Sequence, residues 1–147
     1  MKALSIRQPF AHLIMIGEKS FEFRTWQTDY RGDLLICASA NPKIENTIPG
    51  HALCVANLEE VYELGESNYE SFGLDEEPEG TMYAWYLTNI RLINPFPVKG
   101  KLHLFDVEDD LIEYISCEKA FGEVTDENLD KFFDKYYLPK LYKGKKK

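Results

Sequence analysis

Cysteine is scarce in this chain, and its pattern argues against two common classes of small domain. The 147 residues include three cysteines, Cys37, Cys54 and Cys117, with no CxxC pair. Disulfide frameworks and zinc ribbons both need paired cysteines at short spacing, so neither fits. The three histidines are far apart and form no HxxxH or HxxE arrangement, which disfavours a metal site. We therefore expect a cytoplasmic protein with no metal and no cofactor.

Long apolar runs are also missing. Residues 11–16 are the most apolar stretch near the start, and polar residues or a proline interrupt the region at Arg7, Gln8, Pro9 and His12. The uninterrupted part is too short for a signal peptide or a membrane span. We expect no membrane association.

Basic residues are absent from the middle of the chain. Residues 45–90 carry ten acidic groups and no lysine or arginine, whereas residues 1–44 carry six basic and four acidic groups. With a net charge of −8, the chain lacks the uniformly basic surface that long nucleic acids require. A polyanion must then be bound locally by the N-terminal third, while the acidic middle forms a solvated face or repels polyanions from one side.

What the chain does contain is typical of one folded domain. Apolar residues make up 44%, charged residues 29% and aromatic residues 14%. At this length about two thirds of the unfolded surface can be buried without disulfides or metals. The aromatic content suits either a thick core or a surface on which bases stack.

The hydrophobic pattern predicts a mixed α+β domain built on five to six short strands. Pro9 favours a helix after the first strand, and Gly17 is placed to end it. We expect Pro95 and Pro97 to interrupt the strand ladder. The predicted strands are residues 3–6, 20–26, 33–39, 51–62, 82–93 and 102–107.

The C-terminal third predicts two helices packed outside the strands. Leu111, Ile112 and Ile115 support the first helix. The second begins at the N-cap Thr125, with acidic residues in its first turn. It carries an apolar stripe of Leu129, Phe132, Phe133, Tyr136 and Tyr137. The lysines of residues 143–147 predict a frayed, solubilising tail that adds at most non-specific affinity for polyanions.

The densest group of chemically useful residues lies between Gly17 and Arg24. Strand alternation places Glu22 and Arg24 on one face, about 7 Å apart, and Trp26 continues the row. Lys19 precedes the strand and can reach the same face. A carboxylate, a guanidinium and an indole together suit the wall of a cleft. The alternative is an exposed strand face carrying a Glu22–Arg24 surface pair.

The same segment resembles a known family. Gly17, Lys19, Glu22 and Arg24 match the GxKxxExR pattern of the activating signal cointegrator homology (ASCH) domains. Residues 4–10 resemble the family's LSxxQPW opening, with Phe10 in place of the commoner Trp. Residues 26–40, residues 50–61, the strand around residue 85 and residues 97–100 also resemble family elements. The resemblance covers about residues 3–107, so we assign an ASCH domain to residues 1–107 and a helical extension with a basic tail to residues 108–147.

The resemblance implies a PUA-like (pseudouridine synthase and archaeosine transglycosylase) fold, a small mixed β-barrel with an N-terminal helix between its first strands. It also implies that RNA, another single-stranded nucleic acid or a modified nucleoside binds beside the first helix and the motif strand. We expect the helix N-terminus and the arginines to hold phosphate, Gln8 to pair with a base, and Trp26 or Tyr30 to stack on it. The predicted binding residues are Ser5, Gln8, Lys19, Glu22, Arg24, Trp26, Tyr30 and Arg31.

Two other functions compete with this one. Some ASCH proteins deacetylate N4-acetylcytidine, and ribonuclease activity is known for another. In such an enzyme Lys19 would activate water or attack directly, and Glu22 would shuttle protons. The hydrolase branch has Thr where Glu22 stands, and a nearby carboxylate should keep Lys19 protonated, so we expect no turnover. A third possibility is a partner-binding module that uses the aromatic C-terminal helix.

Overall fold

The computed structural model of the chain describes residues 1–115, 130–131 and 133–144. Its regular elements are β1 (Lys2–Ile6), α1 (Phe10–Met15), β2 (Phe21–Arg24), β3 (Gly32–Ala38), β4 (His51–Glu63), β5 (Tyr83–Pro97) and β6 (Phe105–Asp106). Short 3₁₀ turns span Tyr69–Phe72, Asp109–Leu111 and Leu138–Lys140, and a π-helical turn spans Phe133–Tyr137. Among the described residues, no helix is long and apolar enough to cross a bilayer.

The strands form one mixed six-stranded sheet in the order β2-β5-β4-β3-β1-β6. β1 and β3 are parallel with α1 in the connection between them, and the other pairs are antiparallel. This confirms the α+β class and the helix between the first strands. The edge strands of the sheet are β2, with four residues, and β6, with two. They do not pair with each other, so the sheet is not closed. The predicted barrel closure is therefore not observed.

β3 shows how the sequence builds the core on both faces of this sheet. Successive side chains of a strand point to opposite faces. Leu34 and Ile36 accordingly pack into the core under α1, while Leu35 and Cys37 pack into the core on the opposite face. Cys37 and Cys54 are buried free thiols, and burial raises the pKa of Cys37 to about 12. Cys117 lies outside the described residues.

The C-terminal segment packs against α1 and the 41–50 loop. Tyr137 is buried in the core, and its hydroxyl lies 2.6 Å from His12 Nδ1 on α1. Tyr142 donates its amide to Thr47 O at 2.8 Å, and Lys140 Nζ donates to Asn94 Oδ1 at 2.7 Å. The described part of the aromatic stripe thus includes a core residue. Burial lowers the pKa of His12, and the nearby Glu18 only partly opposes this effect.

Three predicted elements differ from the structure. β5 continues through Pro95 and ends at Pro97. Between the pairs Ala52–Phe96 and Cys54–Leu92, β5 has two more residues than β4, so the pairing is irregular there. Pro95 lies in this irregular stretch, where a proline is tolerated because a strand irregularity does not need its missing N–H. Residues 109–115 do not form an α-helix, since Asp109–Leu111 is a 3₁₀ turn and Tyr114 bridges to β5. The strand predicted at 102–107 shortens to β6. The predicted helix start at Thr125, and Leu129 and Phe132 of its stripe, lie outside the described residues.

Candidate functional site

A cavity of about 260 Å³ opens between α1 and β2. Two segments form its walls. One is the start of α1 with the residues just before it, and the other runs from the end of α1 through β2. Gly17 ends the helix in a left-handed conformation (φ +83°), and the chain turns there toward Lys19 and β2. The cavity is lined by Arg7, Phe10, Lys19, Glu22, Phe23 and Arg24. The motif segment therefore lines a cleft.

A buried carboxylate joins two cations at the cavity wall. Glu22 and Arg24 alternate onto the same face of β2, and Arg24 Nη1 lies 3.2 Å from Glu22 Oε2. Lys19 Nζ lies 3.7 Å from Glu22 Oε1. The Glu22 side chain is 9% exposed, while those of Lys19 and Arg24 are 16% and 24% exposed. The pair is therefore largely buried, and the alternative of an exposed surface pair is wrong.

Lys19 lies among aromatic rings and polar acceptors. Its ammonium is 4.7 Å from the centroid of Phe23 and 5.5 Å from that of Phe10, and it donates a hydrogen bond to Phe21 O. Burial lowers the pKa of Lys19, and Glu22 opposes the shift without cancelling it. We expected the ion pair to dominate. Burial wins because little of the side chain meets water and Glu22 shares its charge with Arg24.

Arg24 also connects the motif strand to β1. Its Nη1 donates to Ser5 O at 3.4 Å, and its guanidinium lies 5.7 Å from the ring centroid of Trp26. β2 and β1 are not hydrogen-bonded neighbours in the sheet. The Arg24 guanidinium therefore connects them through a side-chain hydrogen bond. This contact fixes the position of Arg24 at the cavity.

Three residues that line the cavity, Arg7, Phe10 and Phe23, were missed as binding residues. The Arg7 side chain is exposed, and its guanidinium has no hydrogen-bond or ion-pair partner among the described residues. Phe10 is 45% exposed, because the buried face of α1 consists of Ala11, Ile14 and Met15. The available signal was Phe10 at the family's Trp position, whereas Arg7 occupies a variable position of the LSxxQPW pattern.

The roles predicted for Gln8 and for the helix N-terminus require correction. Gln8 is buried, with Nε2 donating to Ile48 O at 3.0 Å and Oε1 accepting from the His12 amide at 2.9 Å. Its amide therefore has no free edge to pair with a base. The amides of Phe10 and Ala11 donate to Arg7 O, so the first turn of this six-residue helix does not present free N–H groups to an anion.

The other predicted site residues do not line the cavity. Ser5 Oγ lies 2.9 Å from Ser39 Oγ. Trp26 packs against Trp85, with ring centroids 4.8 Å apart. The Tyr30 hydroxyl donates to Asp33 O at 2.5 Å, and Arg31 pairs with Glu60 at 2.7 Å. Trp26 lies beside the site through its contact with Arg24, whereas Tyr30 and Arg31 are engaged with residues outside the cavity.

A family model for the ASCH domain matches residues 4–97. No curated protein matched the chain. Similar solved structures include the ASCH protein of Zymomonas mobilis, which is 17% identical with a TM-score of 0.52 over 74% of this chain and 88% of that one. Structures of two point variants of that protein are also 17% identical to this chain. The tyrosine-to-phenylalanine variant has a TM-score of 0.51 over 74% of this chain and 91% of its own. The serine-to-alanine variant has a TM-score of 0.53 over 76% of this chain and 96% of its own.

Proposed function

The chain belongs to the ASCH domain family, and we propose that it binds one nucleotide unit of a single-stranded nucleic acid, RNA or a modified nucleotide, in the cavity between α1 and β2. The observation that carries the proposal is the local charge. Arg7, Lys19 and Arg24 supply three cations against the single carboxylate of Glu22, in a chain whose net charge is −8. A local positive potential of this kind attracts anions to one place on an acidic protein.

Aromatic rings give the cavity a second property that suits a nucleotide. The partly exposed ring of Phe10 and the ring of Phe23 line the same space as the cations. Base stacking on an aromatic side chain contributes about 1–3 kcal/mol per base and tolerates different bases. The cavity volume of about 260 Å³ is slightly below the range of about 300–1,000 Å³ that is typical of small-molecule pockets. It accommodates a single base or sugar-phosphate group and excludes a duplex.

Fluorescence anisotropy with matched single-stranded RNA and DNA probes tests the proposal. We expect the wild type to bind at least one of the two, and a double Arg7→Ala, Lys19→Met variant to bind at least tenfold more weakly, because charge-assisted hydrogen bonds are among the stronger polar contacts. Lys43→Ala is the matched control, since Lys43 is an exposed cation outside the cavity. Absence of binding by the wild type, or an equal loss in the control, contradicts the proposal.

One observation favours hydrolysis of a modified nucleoside as a second function. The lowered pKa of Lys19 and its proximity to Glu22 are features of amine nucleophiles and of acid–base pairs. Other contacts oppose this role. The Lys19 ammonium already donates to Phe21 O, and Glu22 accepts from Arg24. An ammonium that donates this hydrogen bond has no lone pair for attack, and the Glu22 oxygen that accepts from Arg24 is engaged by another cation.

Incubation with N4-acetylcytidine distinguishes the two functions. We expect no release of cytidine or acetate when the reaction is followed by chromatography. Turnover by the wild type that disappears in both Lys19→Ala and Glu22→Gln would make the protein an amidohydrolase. The same variants assayed on single-stranded RNA, with product sizes resolved on a gel, test for ribonuclease activity.

A further inference from the structure

The loop of residues 98–104, which follows β5, carries the most exposed large apolar side chain among the described residues. Leu102 is 89% exposed, between the exposed residues Lys101 and His103. A leucine in this position gains nothing from folding, because burial is what makes an apolar side chain favourable. The side chain is therefore available to contact another molecule.

This loop, which we call the basic loop (residues 98–104), is attached to the proposed site at two points. Gly100 lies against β1 so closely that a Cβ there would be 2.6 Å from Ser5 Oγ. Ser5 O in turn accepts from Arg24. On the other side of the loop tip, the His103 ring lies 4.7 Å from Trp26, whose ring is also next to Arg24. The basic loop is therefore held beside a residue that lines the cavity.

The charges of the basic loop are available for binding. Lys99 and Lys101 are exposed, and neither has a hydrogen-bond or ion-pair partner within the part of the chain that the structure describes. Most other lysines and arginines of residues 1–115 contact an acidic group or a carbonyl.

His103 adopts a left-handed backbone conformation (φ 60°), which non-glycine residues keep where surrounding contacts fix it. Its contact with Trp26 is such a constraint.

From this juxtaposition we infer that the basic loop binds the part of a single-stranded nucleic acid that flanks the nucleotide in the cavity. Lys99 and Lys101 contact backbone phosphates, and Leu102 packs against the face of the neighbouring base. Cations that follow the backbone are a usual element of single-strand binding, and leucine is among the apolar side chains that proteins pack against bases. The inference rests on the proposed function, and it makes an oligonucleotide, not a free nucleotide, the ligand.

The test compares a nucleoside 5′-monophosphate with a tetranucleotide of the same base, using the full chain. The variants are Lys99→Ala with Lys101→Ala, and Leu102→Ser. Leu111→Ser is the matched control, because Leu111 is also an exposed leucine and lies in a 3₁₀ turn outside the basic loop. Thermal unfolding of each variant shows whether its fold is intact.

We expect both loop variants to bind the tetranucleotide about three- to tenfold more weakly, while their affinity for the monophosphate stays at the wild-type level. In the double lysine variant, the slope of log K against log salt should also become shallower by about 1.4, since each phosphate contact on a single strand contributes about 0.7. The Leu111→Ser control should match the wild type.

The outcomes separate the inference from the proposed function. Unchanged tetranucleotide affinity in either loop variant, with monophosphate binding retained, overturns the role of the loop and leaves the cavity proposal intact. An equal loss with Leu111→Ser also overturns it, because the effect would then be one of general surface change. Failure of the wild type to bind either probe overturns both the inference and the proposed function.

Discussion

Replacing Arg24 with alanine perturbs ligand binding and stability through different contacts, and both magnitudes follow from the structure. Its guanidinium lies 3.2 Å from the Glu22 carboxylate. At that separation the attraction is about 5 kcal/mol at an effective dielectric near 20 and about 1 kcal/mol in water. The loss of one partner from a fully buried pair costs about 3–5 kcal/mol, which sets the upper limit.

The net destabilisation should be smaller than this limit. Arg24 is 24% exposed, and Lys19 remains 3.7 Å from Glu22 after the substitution. We therefore expect Arg24→Ala to lower the free energy of unfolding by about 1–2 kcal/mol. For a chain of this size that corresponds to a Tm lower by about 2–8 °C. The domain stays folded at 20 °C, so binding can be measured on the native variant.

In the binding assay, Arg24→Ala should lower the affinity for a single-stranded probe about tenfold or more, because a charge-assisted hydrogen bond contributes about 1.5–3 kcal/mol. Arg24→Lys separates charge from the bidentate geometry of the guanidinium, and we expect an intermediate affinity. Arg31→Ala is the control, since Arg31 pairs with Glu60 and does not line the cavity. Unchanged affinity in Arg24→Ala, or an equal loss in Arg31→Ala, refutes a direct contact between Arg24 and the ligand.

Three further predictions concern stacking, pH and salt. Phe10→Ala should weaken binding by about 1–3 kcal/mol per stacked base, measured by anisotropy, with little change in Tm because the ring is 45% exposed. Because burial lowers the pKa of Lys19, its ammonium loses its proton at a lower pH than a free lysine does. As the pH increases through that pKa, the affinity for anions should fall because the cation is lost, and the free energy of unfolding should rise because the unfolded chain then binds more protons than the folded one. Both changes should disappear in Lys19→Met. For a probe confined to the cavity, log K against log salt should have a slope of about −2, from three cations. A slope steeper than about −5 would assign binding to the lysines of residues 143–147, and truncating that tail would then abolish it.

The local features of the site were predictable from the sequence. Alternation along β2 places Glu22 and Arg24 on one face whatever the strand pairs with, and a glycine at residue 17 is a strong signal for the end of a helix. The GxKxxExR pattern added the expectation that this face lines a cleft. Together these predicted that the three charged residues of the motif lie close together, and Glu22 lies 3.7 Å from Lys19 and 3.2 Å from Arg24.

The features that failed depend on contacts between distant parts of the chain. Gln8 looked available because its partners, Ile48 and His12, were not visible in the local pattern. Residues 109–115 have helical spacing, but Tyr114 bridges to Ile93 of β5, and this pairing outweighs a weak helical preference. Arg7 had no sequence signal at all, since an arginine before a helix is equally compatible with a solvated surface.

Glu22 has a structural role that holds whether or not the protein is an enzyme. Lys19 and Arg24 repel each other, and neither is fully hydrated. A carboxylate between them offsets both the repulsion and the loss of hydration, so that two cations can line one small cavity. The same carboxylate competes with an incoming phosphate for those cations, which limits what they contribute to affinity. Arg7 faces the cavity with no such competitor among the described residues. In the proposed function its guanidinium can therefore bind phosphate without first giving up another partner, and it should determine much of the affinity for a charged ligand over an uncharged nucleoside.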